Sequence, residues 1–206
     1  MSPEELRNTL EAALLAAGRP LSVDSLVELF DPESPDVALP DRHLVRETLS
    51  RMAEEYSGRG IELQEVASGF RIQVRPEYAR RLGRLWAERP ARYSRALLET
   101  LALIAYRQPV SRAEIEEVRG VGVSSSIFKT LQDRDWVRVV GHRDTPGRPS
   151  LYGTTRQFLD DFNLRQLSDL PPLSELQDLD RMTADLFEAV VAGAAVAAED
   201  AGEGEP

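Results

Sequence analysis

The side chains that could do chemistry in this chain of 206 residues are plentiful by type but poorly arranged by spacing. Carboxylates stand side by side at Glu116 and Glu117, and again at Asp160 and Asp161. General acid–base work needs two carboxyls converging on one bond, one of them partly buried with a shifted pKa. Adjacent residues on a helix point in different directions, so neither pair converges, and both read as solvated helix faces. His43 and His142 lie far apart in the chain. Neither has ligands at metal-binding spacing, so no metal is expected. Ser124, Ser125 and Ser126 follow Gly122, but no histidine-plus-acid arrangement would activate a nucleophile there, and a helix cap is the reading. Gly120-Val121-Gly122 and Gly147-Arg148 could cradle phosphate, yet neither leads into the lysine and hydroxyl of a phosphate loop. The only lysine, Lys129, is elsewhere. These glycines read as turn positions that permit positive φ. There is no cysteine. That excludes disulfides, thiol catalysis and cysteine zinc sites, and it fits a reducing cytosol. No enzyme and no cofactor are expected.

Charge is more informative. Arg75, Arg80, Arg81, Arg84, Arg89, Arg92 and Arg95 fall within 21 residues, against Glu77 and Glu88. Arg80 and Arg84 are one helical turn apart and Arg81 flanks them, so they share a face. Three readings stay open: an ordinary solvated face, a surface for acidic groups of a partner or of this chain's own tail, or contact with DNA phosphates. The net charge is −10, and residues Gln177 to Pro206 hold eight acids and one arginine, a net of −7.

The elements that would position these groups come in two rounds. Ser2 caps an amphipathic helix from Pro3 to Ala17 with Leu6, Leu10 and Leu14 in line, and Gly18 stops it. Ser22 caps a short helix from Val23 to Phe30. Asp31 to Pro35 reads as a loop. A third helix, Asp41 to Tyr56, has Leu44, Leu49, Met52 and Ala53 as its apolar side. The period then becomes two through Ile61, Leu63 and Val66, a Ser68-Gly69 turn, and Phe70, Ile72 and Val74. Three helices and a β-hairpin make the order of a winged helix.

The same order recurs. A helix runs from Arg95 to Tyr106, with Leu97, Leu101 and Ile104 apolar, until Pro109 breaks it. Ser111 caps Arg112 to Arg119, with Glu114 at capping-box spacing. Ser124 to Arg134 follows, with Ile127, Phe128 and Leu131 inward. Val137 to Gly141, a tight wing at Asp144 to Pro149, and Leu151-Tyr152 complete it. Thr155 then caps a helix to Phe162. The expected fold class is mainly α with small β-hairpins (α+β). It comprises two tandem winged helix domains, 1–75 and 93–166, joined by an arginine-rich helical linker, 76–92, and followed by an acidic C-terminal tail, 167–206. An alanine-rich helix, Met182 to Ala198, is expected in the tail, with disorder beyond it. The start, Ser2-Pro3-Glu4-Glu5, is unlike a signal peptide, and no apolar run is long enough for a membrane span. The third helices carry acids as well as bases: Asp41, Glu47, Glu54 and Glu55 beside Arg42, Arg46 and Arg51, and Asp133 and Asp135 beside Lys129 and Arg134. That balance disfavours a helix lodged in a phosphate-lined groove.

The second round carries a specific resemblance. Ser94 to Glu116, continued by Val118 to Val121, resembles the helix pair of the segregation and condensation protein B family. Gly141 to Thr155 is similar to that family's wing. Phe158 to Leu164, then Leu167-Ser168-Asp169-Leu170-Pro171-Pro172-Leu173, completes the pattern over Tyr93 to Leu176. The chain departs from it at Asn163 and Arg165, where a glycine-leucine and an asparagine-like turn are expected, and at Trp136, where a smaller residue is usual.

The resemblance implies a non-enzymatic cytoplasmic, nucleoid-associated subunit serving chromosome condensation and segregation. It implies a homodimer formed through the N-terminal domain. The partner would be a kleisin, segregation and condensation protein A (ScpA), which bridges the heads of an SMC ATPase; no membrane is involved. Arg148, Pro149, Tyr152, Phe158, Phe162 and Arg107 are the candidate partner-binding residues, and Leu6, Leu10 and Leu14 the candidate dimer contacts. Pro146 and Pro149 stiffen the wing. At its tip Arg148 either reaches a partner carboxylate or pairs within its own domain with Asp144 or Asp160. The alternative function is a tandem winged helix DNA-binding transcriptional regulator, which predicts salt-sensitive duplex binding. Under the leading reading, direct contact with DNA is weak or absent.

Overall fold

The structure, a computed structural model, describes residues 2–30, 39–83, 85 and 93–172. The expected loop at Asp31 to Pro35, the arginines at positions 84, 89 and 92, and the acidic stretch with its alanine-rich helix lie outside the described residues.

Local capping sets the first helix. In α1 (Pro3–Ala17) the Ser2 Oγ accepts from the Glu5 N–H at 3.1 Å, and Glu5 Oε2 accepts from the Ser2 N–H at 3.3 Å. Two of the helix's unpaired N-terminal donors are thereby satisfied. Gly18 ends it with φ +60°. Helix α2 (Val23–Val27) is shorter than the expected Val23 to Phe30, because the chain turns after Glu28 and Phe30 packs back onto the core. Helix α3 (Arg42–Glu55) starts on Asp41, whose Oδ1 accepts from the Leu44 N–H at 2.7 Å. Its inward face differs from the expected one. Val45, Thr48, Leu49 and Met52 are buried, while Leu44 and Ala53 are exposed. The stripe 45–49–52 continues to the fully buried Tyr56 at helical spacing, and Leu44 and Ala53 fall on its flanks. Thr48 tolerates burial because its hydroxyl donates to the Leu44 carbonyl at 2.8 Å.

Strands β1 (Ile61–Val66) and β2 (Gly69–Val74) pair antiparallel, and Leu21 adds an isolated bridge to Phe70. Helix α4 (Pro76–Leu82) follows, then α5 (Arg95–Arg107), β3 (Val110–Ser111), α6 (Arg112–Arg119) and α7 (Ser125–Asp133). Strands β4 (Val137–His142) and β5 (Ser150–Thr154) and helix α8 (Arg156–Asp161) complete the second round, and a 3-10 turn covers Leu167–Asp169. The second sheet has the order β3-β5-β4, all antiparallel. The two-residue β3 is the strand that periodicity did not reveal. It occupies the place Leu21 has in the first round, beside the second strand of the hairpin.

Each round has its own core. Leu6, Leu10, Leu14, Leu26, Val45, Leu49, Met52 and Tyr56 form one cluster, and Leu97, Leu101, Ile104, Ile115, Leu131, Trp136, Phe158 and Phe162 lie in the other. Trp136 is 2% exposed and meets Phe162 edge-on, with ring centroids 5.2 Å apart. Its indole N–H donates to Asp161 Oδ2 at 2.7 Å, which makes so large a polar side chain acceptable in the core.

Candidate functional site

The β4–β5 hairpin and its surroundings are the region the sequence singles out. Its turn closes on itself: the Arg143 N–H donates to the Pro149 carbonyl at 3.0 Å, and the Arg148 N–H to the Thr145 carbonyl at 2.8 Å. Gly147 takes φ +84° and Arg148 φ +39°, so two consecutive residues in the left-handed region form the tip. Arg148 is exposed, and among the described residues its side chain has neither hydrogen bond nor ion pair. The internal pairing with Asp144 or Asp160 does not occur. Asp160 instead turns toward the N-terminal hairpin, where its Oδ1 accepts from the Ser68 N–H at 2.8 Å.

Arg107, in the last turn of α5, is likewise exposed and without a side-chain partner among the described residues. Pro149 is half-buried. Tyr152 is also half-buried, its ring 4.6 Å from that of Phe128. Phe158 and Phe162 require correction as surface candidates. They are 2% and 5% exposed and pack on each other at 4.6 Å beneath Trp136, so they support a surface and do not form one. Leu6, Leu10 and Leu14 require the same correction, being 1%, 0% and 3% exposed. Helical spacing marks an inward face, but it does not say whether the partner is the chain's own core or a second chain.

The scaffold beneath the hairpin is held by charged staples. In α6, Glu116 Oε1 accepts from the Val123 N–H at 2.9 Å and from Arg112 Nε at 2.9 Å, and Arg112 Nη2 donates to the Val123 carbonyl. These bonds tie α6 to the start of α7, and they hold the Glu116 carboxyl below its ordinary value, the Val123 N–H first and Arg112 second. Glu114 is lowered too, by the Ser111 N–H and hydroxyl and then by Arg143, which pairs with it at 2.6 Å. Glu99 is lowered by Arg95 first, and by Arg119, whose Nη2 lies 3.0 Å away. Gln108 joins α5 to β5: its Oε1 accepts from the Thr154 N–H at 2.7 Å and its Nε2 donates to Thr154 Oγ1 at 2.9 Å. Tyr106 donates to the Pro171 carbonyl at 2.6 Å, anchoring the end of the described chain. Of these, the Ser111–Glu114 capping pair was read from the sequence, and Arg112–Glu116 and Arg95–Glu99, each four residues apart on one helix, carried a local signal that was missed. Gln108 and Arg119 had none, because their partners are distant in sequence.

The arginines of α3 are each opposed by an acid. Arg42 meets Asp24 at 2.6 Å, Arg46 meets Glu65 at 3.4 Å and Arg51 meets Glu47 at 3.9 Å. Among the described residues no group of three or more His, Asp or Glu is placed to hold a metal, and no helix is long and apolar enough to cross a membrane.

Comparison with known proteins agrees with this architecture's sequence signature. The family profile described as "Segregation and condensation complex subunit ScpB" matches residues 8–173. A "Segregation and condensation protein B homolog" of Coxiella burnetii is 54% identical over 188 residues, 91% of this chain and 88% of that protein. "Segregation and condensation protein B" of Syntrophotalea carbinolica is 43% identical over 206 residues, covering 98% of this chain and 100% of its own length. The crystal structure of ScpB from Mycobacterium tuberculosis is 34% identical, with a TM-score of 0.36 over 77% of this chain and 95% of that one. The chain belongs to the ScpB family of segregation and condensation complex subunits.

Proposed function

We propose that the chain is a non-enzymatic, cytoplasmic and nucleoid-associated subunit that dimerises and binds the kleisin ScpA, and through it an SMC ATPase. In this reading 1–75 and 93–166 are two winged helix domains, 76–92 is the linker between them and 167–206 is a tail. Family membership supports the assignment. The observation that carries the binding role is Arg148, an exposed guanidinium without a partner among the described residues, on a hairpin that closes on itself. The closed turn fixes the backbone that carries this group, so binding costs only side-chain freedom, and the guanidinium can grip a carboxylate through two hydrogen bonds. Arg107 is a second cation of the same kind.

Self-association would use the outward side of α1, since its leucines at 6, 10 and 14 are committed to the core. Ala12 and Ala16 there are exposed and flanked by Leu15 and Leu29, 57% and 51% exposed. Small residues let two helices approach closely, and the leucines would supply the apolar area. Direct DNA contact is weak or absent in this proposal, since an acid opposes each arginine of α3. Mixing the chain with its kleisin should give one stable complex in size-exclusion chromatography with light scattering, with a mass containing two copies of this chain. Two species eluting separately at micromolar concentration would refute the proposal.

A further inference from the structure

The two rounds of structure meet at the turn of the first hairpin. The Ala67 N–H donates to the Leu164 carbonyl at 2.9 Å, and the Ser68 N–H to Asp160 Oδ1 at 2.8 Å. In return, Arg156 of α8 donates to the Ala67 carbonyl from Nε at 3.2 Å and from Nη2 at 2.6 Å. Arg71 of β2 reaches across as well. Its Nη2 donates to the Asp160 carbonyl at 2.9 Å and to Asn163 Oδ1 at 2.8 Å, while its Nε donates to Gln73 Oε1 at 3.1 Å. Gln73 passes the connection on to Glu62 of β1 at 2.8 Å.

These contacts are specific and they are polar. Asp160 is only 5% exposed, a position a carboxylate occupies at acceptable cost only when it is hydrogen-bonded and faces positive charge. Asn163 sits at φ +57°, which aims its amide at Arg71; asparagine tolerates this region better than most residues with a side chain. The two apolar cores share no residue. Val66, 3% exposed at the end of β1, belongs to neither core. The hydrogen bonds of the junction, all but Ala67–Leu164 made with a charged group, are each worth only about 1–3 kcal/mol net because water replaces them. Units joined in this way move relative to each other unless something fixes them.

We infer that the β1–β2 turn and the C-terminal end of α8 form a releasable clasp, with Arg71 as its central bridge, that sets the angle between the two units. Closed, the clasp holds the outward side of α1 and the Arg148 hairpin at one separation. Open, the two units remain tethered by the covalent chain through α4. A partner that touches both units thus binds a preset geometry or has to break the clasp first. The inference stands whether or not that partner is a kleisin.

The chain has no cysteine, so label sites can be chosen freely. Spin labels at Ser50→Cys and Lys129→Cys, both exposed and one in each unit, report the separation in the full chain. Dilution with unlabelled protein removes distances between chains. The parent should give one narrow distance distribution, and Arg71→Ala should at least double its width. Asn163→Gly keeps the turn and removes one acceptor, so it should broaden the distribution less. Arg156→Ala, at an exposed position, tests the clasp from the other side without disturbing either core. Unchanged amide exchange in α1, α3 and α5 would show that both units remain folded. A broad distribution in the parent would overturn the inference. So would folded Arg71→Ala and Arg156→Ala variants as narrow as the parent.

Discussion

The two hairpins are built alike and used oppositely. Each is a pair of antiparallel strands following three helices, with a short extended segment added beside the second strand. The first turn, at Ala67 and Ser68, is wrapped by Arg156, Asp160 and Leu164 of the other unit. The second closes on its own backbone and leaves residues 142–148 exposed. Each hairpin carries a prominent arginine: Arg71 bridges three internal acceptors, whereas Arg148 has none among the described residues. Burial pulls the Arg71 guanidinium below its ordinary pKa, with Asp161 and Asp160 opposing the shift. One architecture thus places its hairpin turn against the other unit in the first case and exposes it in the second.

The sharpest way to break this contrast is to put the same methyl group into both turns. Gly69 has φ +138°, and an added Cβ would lie 2.1 Å from the Leu21 carbonyl oxygen. That oxygen belongs to backbone already bonded to Phe70, so the bridge itself must move. Gly69→Ala should cost about 3 kcal/mol or more, as overpacking and backbone strain act together. Gly147 has φ +84° but nothing within 4 Å of the added atom. Gly147→Ala should cost only about 1 kcal/mol, from backbone strain alone. Urea unfolding measures both, and losses equal within error would show that the Leu21 backbone yields to the added carbon and that the first turn is no more tightly packed than the second.

A smaller effect separates the arginines of the second hairpin. Arg148→Ala should weaken kleisin binding about tenfold or more, the range of a contact worth at least about 1.4 kcal/mol. Its own stability should stay within about 0.5 kcal/mol of the parent, as for most surface substitutions. Arg143 already pairs with Glu114. Arg143→Ala should leave affinity within about twofold, because that guanidinium is engaged inside the chain. Calorimetric titration reads both, and undiminished affinity in Arg148→Ala would remove the hairpin tip from the binding surface.

What the sequence made legible follows from the range of each interaction. The Ser2 cap and the Ser111–Glu114 capping box lie within one turn and were read from the sequence, as were the helices they start, whereas the return bond from Glu5 to Ser2 was not. The inward faces of α1 and α5 were readable too, because helical period is local. Leu44 was misassigned on α3 because Val45, beside it, is equally apolar, and only the packed fold chooses between them. Strand β3 has two residues, too few for a period, and exists because β5 pairs with it. The clasp was invisible: Ser68 and Asp160 are 92 positions apart. Asn163 looked like a departure at the end of a helix. Its positive φ and its bond to Arg71 give it a role that glycine's missing side chain could not fill.

The smallest expected effect sets the two units at opposite ends of the pH scale. In the C-terminal unit Glu114 and Glu99 are held below their ordinary value of 4.5, Glu114 chiefly by the Ser111 N–H and Glu99 chiefly by Arg95. For a depressed carboxylate the unfolded chain binds the proton more readily. The stabilisation is complete above 4.5 and is lost as pH falls through the lower folded value. In the N-terminal unit the Tyr56 phenol is pushed from 10.0 up to about 12, by burial first and by the Glu11 carboxylate second. Here the folded chain holds the proton more tightly. That contribution is complete below 10.0 and is lost as pH rises toward about 12. Acid should therefore loosen the C-terminal unit first, while alkali should weigh most on Tyr56 of the N-terminal unit, because burial raises Tyr93 and Tyr106 of the C-terminal unit too, but less. Trp136 fluorescence, in a Trp86→Phe background, follows the first transition, and amide exchange in α1 and α3 the second. Two substitutions isolate the causes. Glu114→Gln can keep the capping geometry without the titrating group, so acid sensitivity should fall. Tyr56→Phe removes a buried hydroxyl that completes no hydrogen bond among the described residues although the Glu11 carboxylate is near, so alkaline sensitivity should fall with little loss at neutral pH. Both glutamates lie near the surface, where water screens their charge, and this keeps the acid effect small. If both units loosened together at each extreme, the clasp would be coupling them more tightly than its hydrogen bonds suggest.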